Sequence, residues 1–319
     1  MFRKKWCAPL FSMACAALVC FSCAPKKNGT GMASVGGQEF KNGHALSEGG
    51  AAATVVAKKS PPVPVDSRHD DLDKVLSKMS KRFRGEVSIE KKDYDAFLSD
   101  LETVLLDEKN NSRNDISLYY LIDKTHFVAE DDGSVYEPKD LVELKNNNAY
   151  VVNKNGMQLR REAYDALSEM GEAARKEGIQ ISVSSAYRSY SYQKSLFQHW
   201  VDVDGLAEAE RESARAGTSQ HQLGVAVDFG SVSNDFAYTK QGKWVYANAY
   251  KYGWSLSFPQ DHEDVTGFRW ESWHFRYIGK NACLLQKKWF ADIQQYMIEF
   301  IYGWKQTGSY KSFAEKNGI

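Results

Sequence analysis

Apolar residues recur three and four apart in two early stretches of the chain: Leu72, Leu76, Met79 and Phe83, then Phe97, Leu101 and Leu105. That spacing gathers each set on one face of a helix, so residues 66–116 read as a small N-terminal helical region that lends packing support. A longer stripe of Leu159, Ala163, Leu167, Met170 and Ala174 predicts a buried helix. Gly178 supplies its stop before the strand-like run at 179–185. Helices also fit residues 190–200 and 206–214. Short strands fit 118–123, 225–229, 255–258 and 273–277, and helical spacing returns over 284–304 through Ile293, Met297, Phe300 and Ile301. The order is that of an α+β protein, with a small antiparallel sheet flanked by helices. Strands do not alternate regularly with long helices, and no glycine-rich loop follows a strand, which argues against a doubly wound nucleotide-binding fold.

The start of the chain follows another pattern. Arg3, Lys4 and Lys5 precede an apolar run from Trp6 to Phe21 that ends at Ser22 and Cys23, which reads as an export signal over residues 1–23. The run is short for a membrane span and contains Pro9. Ser22-Cys23 resembles a bacterial lipobox, whose cysteine becomes the lipid-carrying N-terminus, and ordinary signal cleavage is the alternative. The expected location is therefore the periplasm or cell envelope, with membrane contact only through the signal or a lipid anchor on Cys23. Residues 24–65 are rich in Gly, Ala, Ser, Lys and Pro without apolar periodicity and read as a disordered tether. The main domain is expected over 117–283 and a helical tail over 284–319. Four of the five cysteines lie in the signal, leaving Cys283 without an internal disulfide partner after cleavage.

The 319 residues suffice for a sizeable core. Zero formal net charge leaves no basic excess to hold a phosphate backbone, which excludes a nucleic-acid partner. A monomer is the expected state.

Three segments concentrate chemistry: 184–197, 217–230 and 263–279. In the second, Asp228 and Ala226 share one face of a short strand while Val225 and Val227 face the core. Asp228 is thereby aimed at a cleft, where it and His221 can share a cation such as zinc, with Gly224 turning the chain between them. His274 adds a third ligand, and three protein ligands plus an open position are what a catalytic zinc requires. Glu271, three residues before His274, is the candidate general base. Residues three apart on a regular strand point to opposite faces, so Glu271 is expected on a loop or bulge ahead of that strand. Arg188 offers a planar guanidinium to grip a substrate carboxylate or stabilise an oxyanion. Gln193 and Ser219 are candidates for hydrogen bonds to the peptide end.

Ser219, His221, Gly224, Ala226 and Asp228 reproduce the pattern Ser-x-His-x-x-Gly-x-Ala-x-Asp, Glu271, Trp273 and His274 reproduce Glu-x-Trp-His, and Tyr187, Arg188, Ser189 and Gln193 complete a third stretch. Together these segments resemble the D-alanyl-D-alanine carboxypeptidase family of zinc peptidases, which includes VanY-type enzymes and related L,D-carboxypeptidases. The likeness runs from about Leu118 to Gly279. A basic residue often found in that family before an aromatic-proline pair is Ser257 here. The resemblance implies a Hedgehog-like DD-peptidase zinc fold, one Zn2+ ion, and removal of the terminal D-alanine from peptidoglycan stem peptides. Removal of D-alanine from the pentapeptide (D,D) or from the tetrapeptide (L,D) are both open, as is a tethered wall-binding protein that keeps the cleft without turnover. Glu271 speaks against the last.

Overall fold

The N-terminal helical spacing materialises as α1 (Ser67–Met79) and α2 (Tyr94–Asn111). The structure, a computed structural model, describes residues 66–111, 115–129 and 133–319; the expected export signal, the tether and Cys23 lie outside the described residues. Asp66 caps α1, its carboxylate accepting the Arg68 amide N–H at 2.9 Å and so satisfying a donor that the first turn leaves free. Phe83, the last residue of the first apolar stripe, lies beyond α1 but is buried edge-on against Tyr296 at 5.4 Å.

Three short strands follow, β1 (Leu141–Glu143), β2 (Tyr150–Val152) and β3 (Gln158–Arg160), the last running directly into α3 (Arg161–Lys176). α3 buries Ala163, Leu167, Met170 and Ala174, as their spacing predicts. Gly178, at a φ of 75°, turns the chain towards β4 (Ile181–Ser185). Next come α4 (Tyr190–Asp204), α5 (Leu206–Glu212), β5 (Ala226–Phe229), α6 (Lys240–Asn248), β6 (Trp254–Leu256), the single-turn α7 (Glu263–Thr266) and β7 (His274–Tyr277). The chain closes with α8 (Lys280–Trp289), α9 (Gln294–Trp304) and α10 (Gly308–Asn317). The helical spacing over 284–304 is thus divided between two helices, and Ala291 and Asp292 make the break with φ of 52° and 61°.

Five strands form one sheet in the order β2-β4-β5-β7-β6, antiparallel except for the edge pair β2 and β4, while β1 and β3 pair separately. Val225, Val227 and Phe229 join the apolar core, and the alternation of β5 turns Ala226 and Asp228 to the other side. One expected strand is absent. Residues 118–123 run as irregular chain, because the carbonyls of Leu118 and Tyr120 accept hydrogen bonds from the buried Arg276 guanidinium at 2.7 and 2.9 Å instead of entering a ladder. Their apolar side chains Leu118, Tyr119, Leu121 and Ile122 are still buried.

The first and last helices of the described chain share the core with the sheet. α1 lies on α9 and α2 on α8, and Phe97 of α2 meets Phe290 and Phe300 edge-on at 5.9 and 5.2 Å. Phe300 is fully buried at this crossing. Phe300→Ala is expected to lower the unfolding free energy by about 3–5 kcal/mol in urea denaturation, with a single cooperative transition.

Candidate active site

The register of β5 against β7 sets Asp228 directly opposite His274. Opposed residues of an antiparallel pair carry side chains on the same face and within contact distance, so these two meet by strand pairing alone. Asp228 Oδ1 lies 3.1 Å from His274 Nδ1. The third member arrives from a 3-10 turn, Gln220–Leu223, that precedes β5 and presents His221 Nε2 at 3.3 Å from the same carboxylate oxygen. Ser219 caps this turn, its hydroxyl oxygen accepting the His221 amide N–H at 3.3 Å. Gly224 ends it at a φ of 71°, where a Cβ would stand 3.0 Å from Pro138 Cγ and 3.1 Å from Arg160 Cγ.

One ligand atom from each of His221, Asp228 and His274 falls within 4.8 Å of the others, and all three residues are buried. Each imidazole spends its other nitrogen on an acceptor. His221 Nδ1–H donates to the Ala186 carbonyl at 2.6 Å, and His274 Nε2–H donates to Gln220 Oε1 at 3.2 Å. Those bonds leave lone pairs, not protons, on His221 Nε2 and His274 Nδ1, both turned towards an anionic oxygen. His221 Nε2 and Asp228 Oδ1 are accordingly buried without a hydrogen-bond partner among the described residues. Three converging electron-pair donors in a buried site repel one another unless a cation lies between them, and a His, Asp, His set suits a divalent metal ion. Burial, helped by the nearby Arg188 charge, pushes His221 down to about 4, so the ring is neutral and free to ligate near neutral pH.

Glu271 lies on the turn ahead of β7, as the strand geometry requires, and its Oε2 is 3.6 Å from His274 Nδ1. Burial, then the negative charge of Asp228, pushes its carboxyl well above the usual range. A cation among the three ligands would oppose that rise. Asn234 holds both flanks of this residue: its Oδ1 accepts the Ser272 amide N–H at 3.0 Å and its Nδ2 donates to the Trp270 carbonyl at 3.1 Å. Nothing in the local sequence marks Asn234, because its partners are 36 and 38 residues away.

Arg188 stands on the other side of the carboxylate, with Nη2 3.6 Å from Asp228 Oδ2 and Nη1 donating to Gln193 Oε1 at 2.7 Å. Gln193 is fully buried and its Nε2 donates to the Ala214 carbonyl at 2.7 Å, so the structure puts it behind Arg188 and not on the cleft wall. Two cavities, of about 40 and 300 Å³, adjoin the centre, and Arg188 and Glu271 line both. Ser219 lines the smaller; Asp228, Tyr192 and Trp273 line the larger. Ligand triad, carboxyl group and guanidinium therefore all border space open to a small peptide end.

Comparison with known proteins places this geometry among relatives. The family model described as VanY, D-alanyl-D-alanine carboxypeptidase, matches residues 156–280. A Bacillus subtilis (strain 168) protein carrying the provisional carboxypeptidase name YodJ is 34% identical over 232 residues, which span 71% of this chain and 81% of that protein. The D-alanyl-D-alanine carboxypeptidase of Enterococcus faecium is 30% identical over 164 residues, 50% of this chain and 51% of that one. Among solved structures, the LdcB LD-carboxypeptidase aligns with a TM-score of 0.50 at 34% identity, covering 57% of this chain and 85% of that chain.

Because the turn carrying His221 needs both a left-handed backbone and open space at position 224, Gly224→Ala is expected to cost about 1–3 kcal/mol of stability, read from the shift in the urea midpoint.

Proposed function

The chain belongs to the VanY family of D-alanyl-D-alanine carboxypeptidases, and from that premise we propose that it is a zinc-dependent hydrolase that removes the terminal D-alanine of peptidoglycan stem peptides. The observation that carries the reading is the convergence of His221, Asp228 and His274 beside Glu271 and Arg188 at one cleft. One Zn2+ ion fits the triad, and its Lewis acidity would polarise a scissile carbonyl and acidify water beside it.

The protein's own groups then divide the work. Glu271, raised by burial and held on both flanks through Asn234, takes the proton of the attacking water and returns it to the departing D-alanine nitrogen. Arg188 has the charge and planarity to hold the terminal carboxylate or to stabilise the oxyanion, and Gln193 fixes the direction of its fork. Ser219 keeps a hydroxyl on the cavity wall that can reach the peptide end. The proposed substrate lies outside the cytoplasm, in accord with the export signal read over residues 1–23 and an anchor at Cys23.

Removal of D-alanine from the pentapeptide is the first reading. L,D cleavage of the tetrapeptide is the second, favoured by the 34% identity to the LdcB LD-carboxypeptidase over 85% of that chain. Discrimination would rest on the shape of the larger cavity around the penultimate residue.

With zinc and synthetic stem peptides, D-alanine release followed by mass spectrometry is expected from the pentapeptide. Release from the tetrapeptide alone moves the assignment to L,D, and release from neither by zinc-loaded protein refutes the hydrolase reading. A chelator should abolish the activity and added zinc restore it. Glu271→Gln is expected to lose roughly 10²- to 10⁴-fold in kcat while keeping its zinc, as measured by metal analysis. Arg188→Ala should cost about 1.5–3 kcal/mol in kcat/KM, with little recovery in Arg188→Lys because an ammonium cannot reproduce the two-point grip.

A further inference from the structure

Of the two imidazoles in the triad, it is His274 that is oriented by a side chain. His221 leans on the backbone carbonyl of Ala186, the residue after β4, whereas His274 Nε2–H donates to the amide oxygen of Gln220. A side-chain amide can turn over. Were it to flip, its NH2 group would face His274 Nε2, which would then have to accept, and the imidazole proton would move to Nδ1, where it blocks ligation.

Gln294 opposes that flip, because its Oε1 can only accept. Gln220 Nε2 donates to Gln294 Oε1 at 3.5 Å, and Ser257 Oγ–H can donate to either amide oxygen, Gln220 Oε1 at 2.7 Å or Gln294 Oε1 at 3.3 Å. Gln294 is held in turn, its Nε2 donating to the Ser255 carbonyl at 3.2 Å. Gln220, Ser257 and Gln294 are all buried, at 5%, 2% and 1% exposure, so a misdirected amide would set Gln220 Oε1 against Gln294 Oε1 at a cost that burial raises. Gln294 opens α9, beyond the residues the family model matches, and α9 is seated in the core by Met297, Phe300 and Ile301. Ser257, which stands where related sequences often carry a basic residue, faces this network and not the cleft.

We propose that Gln220 is a positioning residue for the metal centre: through Gln294 its amide is locked in the orientation that directs the His274 proton to Nε2 and leaves Nδ1 free, which ties α9 to metal affinity. The proposal rests on the metal reading above, because a locked tautomer matters only if Nδ1 ligates.

The test is zinc affinity of the purified protein by competition with a chromophoric chelator, alongside thermal unfolding. Gln220→Leu is expected to weaken zinc binding roughly 10- to 100-fold, the usual effect of removing such an outer partner, while Gln220→Glu, which retains an acceptor oxygen and adds a negative charge, should bind zinc at least as tightly as the parent. Gln294→Leu should weaken binding in the same direction although it touches no ligand. In metal-free protein, nitrogen-15 NMR should find the His274 proton on Nε2 in the parent and shared between both nitrogens in Gln220→Leu. Parental zinc affinity in Gln220→Leu overturns the proposal, as does parental affinity in Gln294→Leu if Gln220→Leu fails to fold. Failure of the parent to bind zinc at all would instead remove the metal reading on which the proposal stands.

Discussion

The centre depends on the register of two strands. With β5 and β7 paired as they are, Asp228 faces His274 and both side chains leave the sheet on the same side. A slip of one residue would turn either ligand into the core and bring Val227 or Phe275 to the cleft. The register is held by what lies on the other face, where Val227, Phe229 and Phe275 are buried and Phe229 meets Phe275 at 5.5 Å. The apolar residues of these strands thus specify where the polar ones come to rest.

Around that pair the structure arranges constraints of decreasing range. The 3-10 turn brings His221 in locally, using Ser219 as its cap and Gly224 as its end. The loop before β7 brings Glu271, held by Asn234 from a distant turn. Arg188 is held by Gln193 from the next helix, and Gln193 also ties in the chain at Ala214. The sheet supplies position, and the amides of half-buried Asn234 and buried Gln193 and Gln220 supply direction. Amides suit that task because each offers donors and an acceptor without adding net charge beside a cation site.

Legibility in the sequence followed the range of the interactions. The α3 stripe, the helices α4 and α5 and the strands β5, β6 and β7 were readable because periodicity is a local property. So was the placement of Glu271 ahead of β7, which follows from the two-residue alternation of a strand. The run at 118–123 has strand-like composition, yet its carbonyls are taken by Arg276 from over 150 residues away, and no local pattern announces that. Gln193 was legible as part of the site, but its position behind Arg188 depends on Ala214 and the packing of α4. Asn234, Gln220 and Gln294 were invisible for the same reason: their significance lies in partners that only the fold assembles.

The short segment from Ala186 to Arg188 is stitched to His221 twice, by the Ala186 carbonyl that accepts from the ring and by the Arg188 amide N–H that donates to the His221 carbonyl at 3.2 Å. The backbone that carries Arg188 and the His221 ring are therefore held to one another. Under the proposed role of Arg188, a chain end held there would be measured against a gauge of fixed length, and the bond that reaches the centre would be chosen by counting from the carboxyl terminus. Such a gauge is indifferent to how long the rest of the polymer is, which suits an enzyme that must trim ends on a network without limit of size.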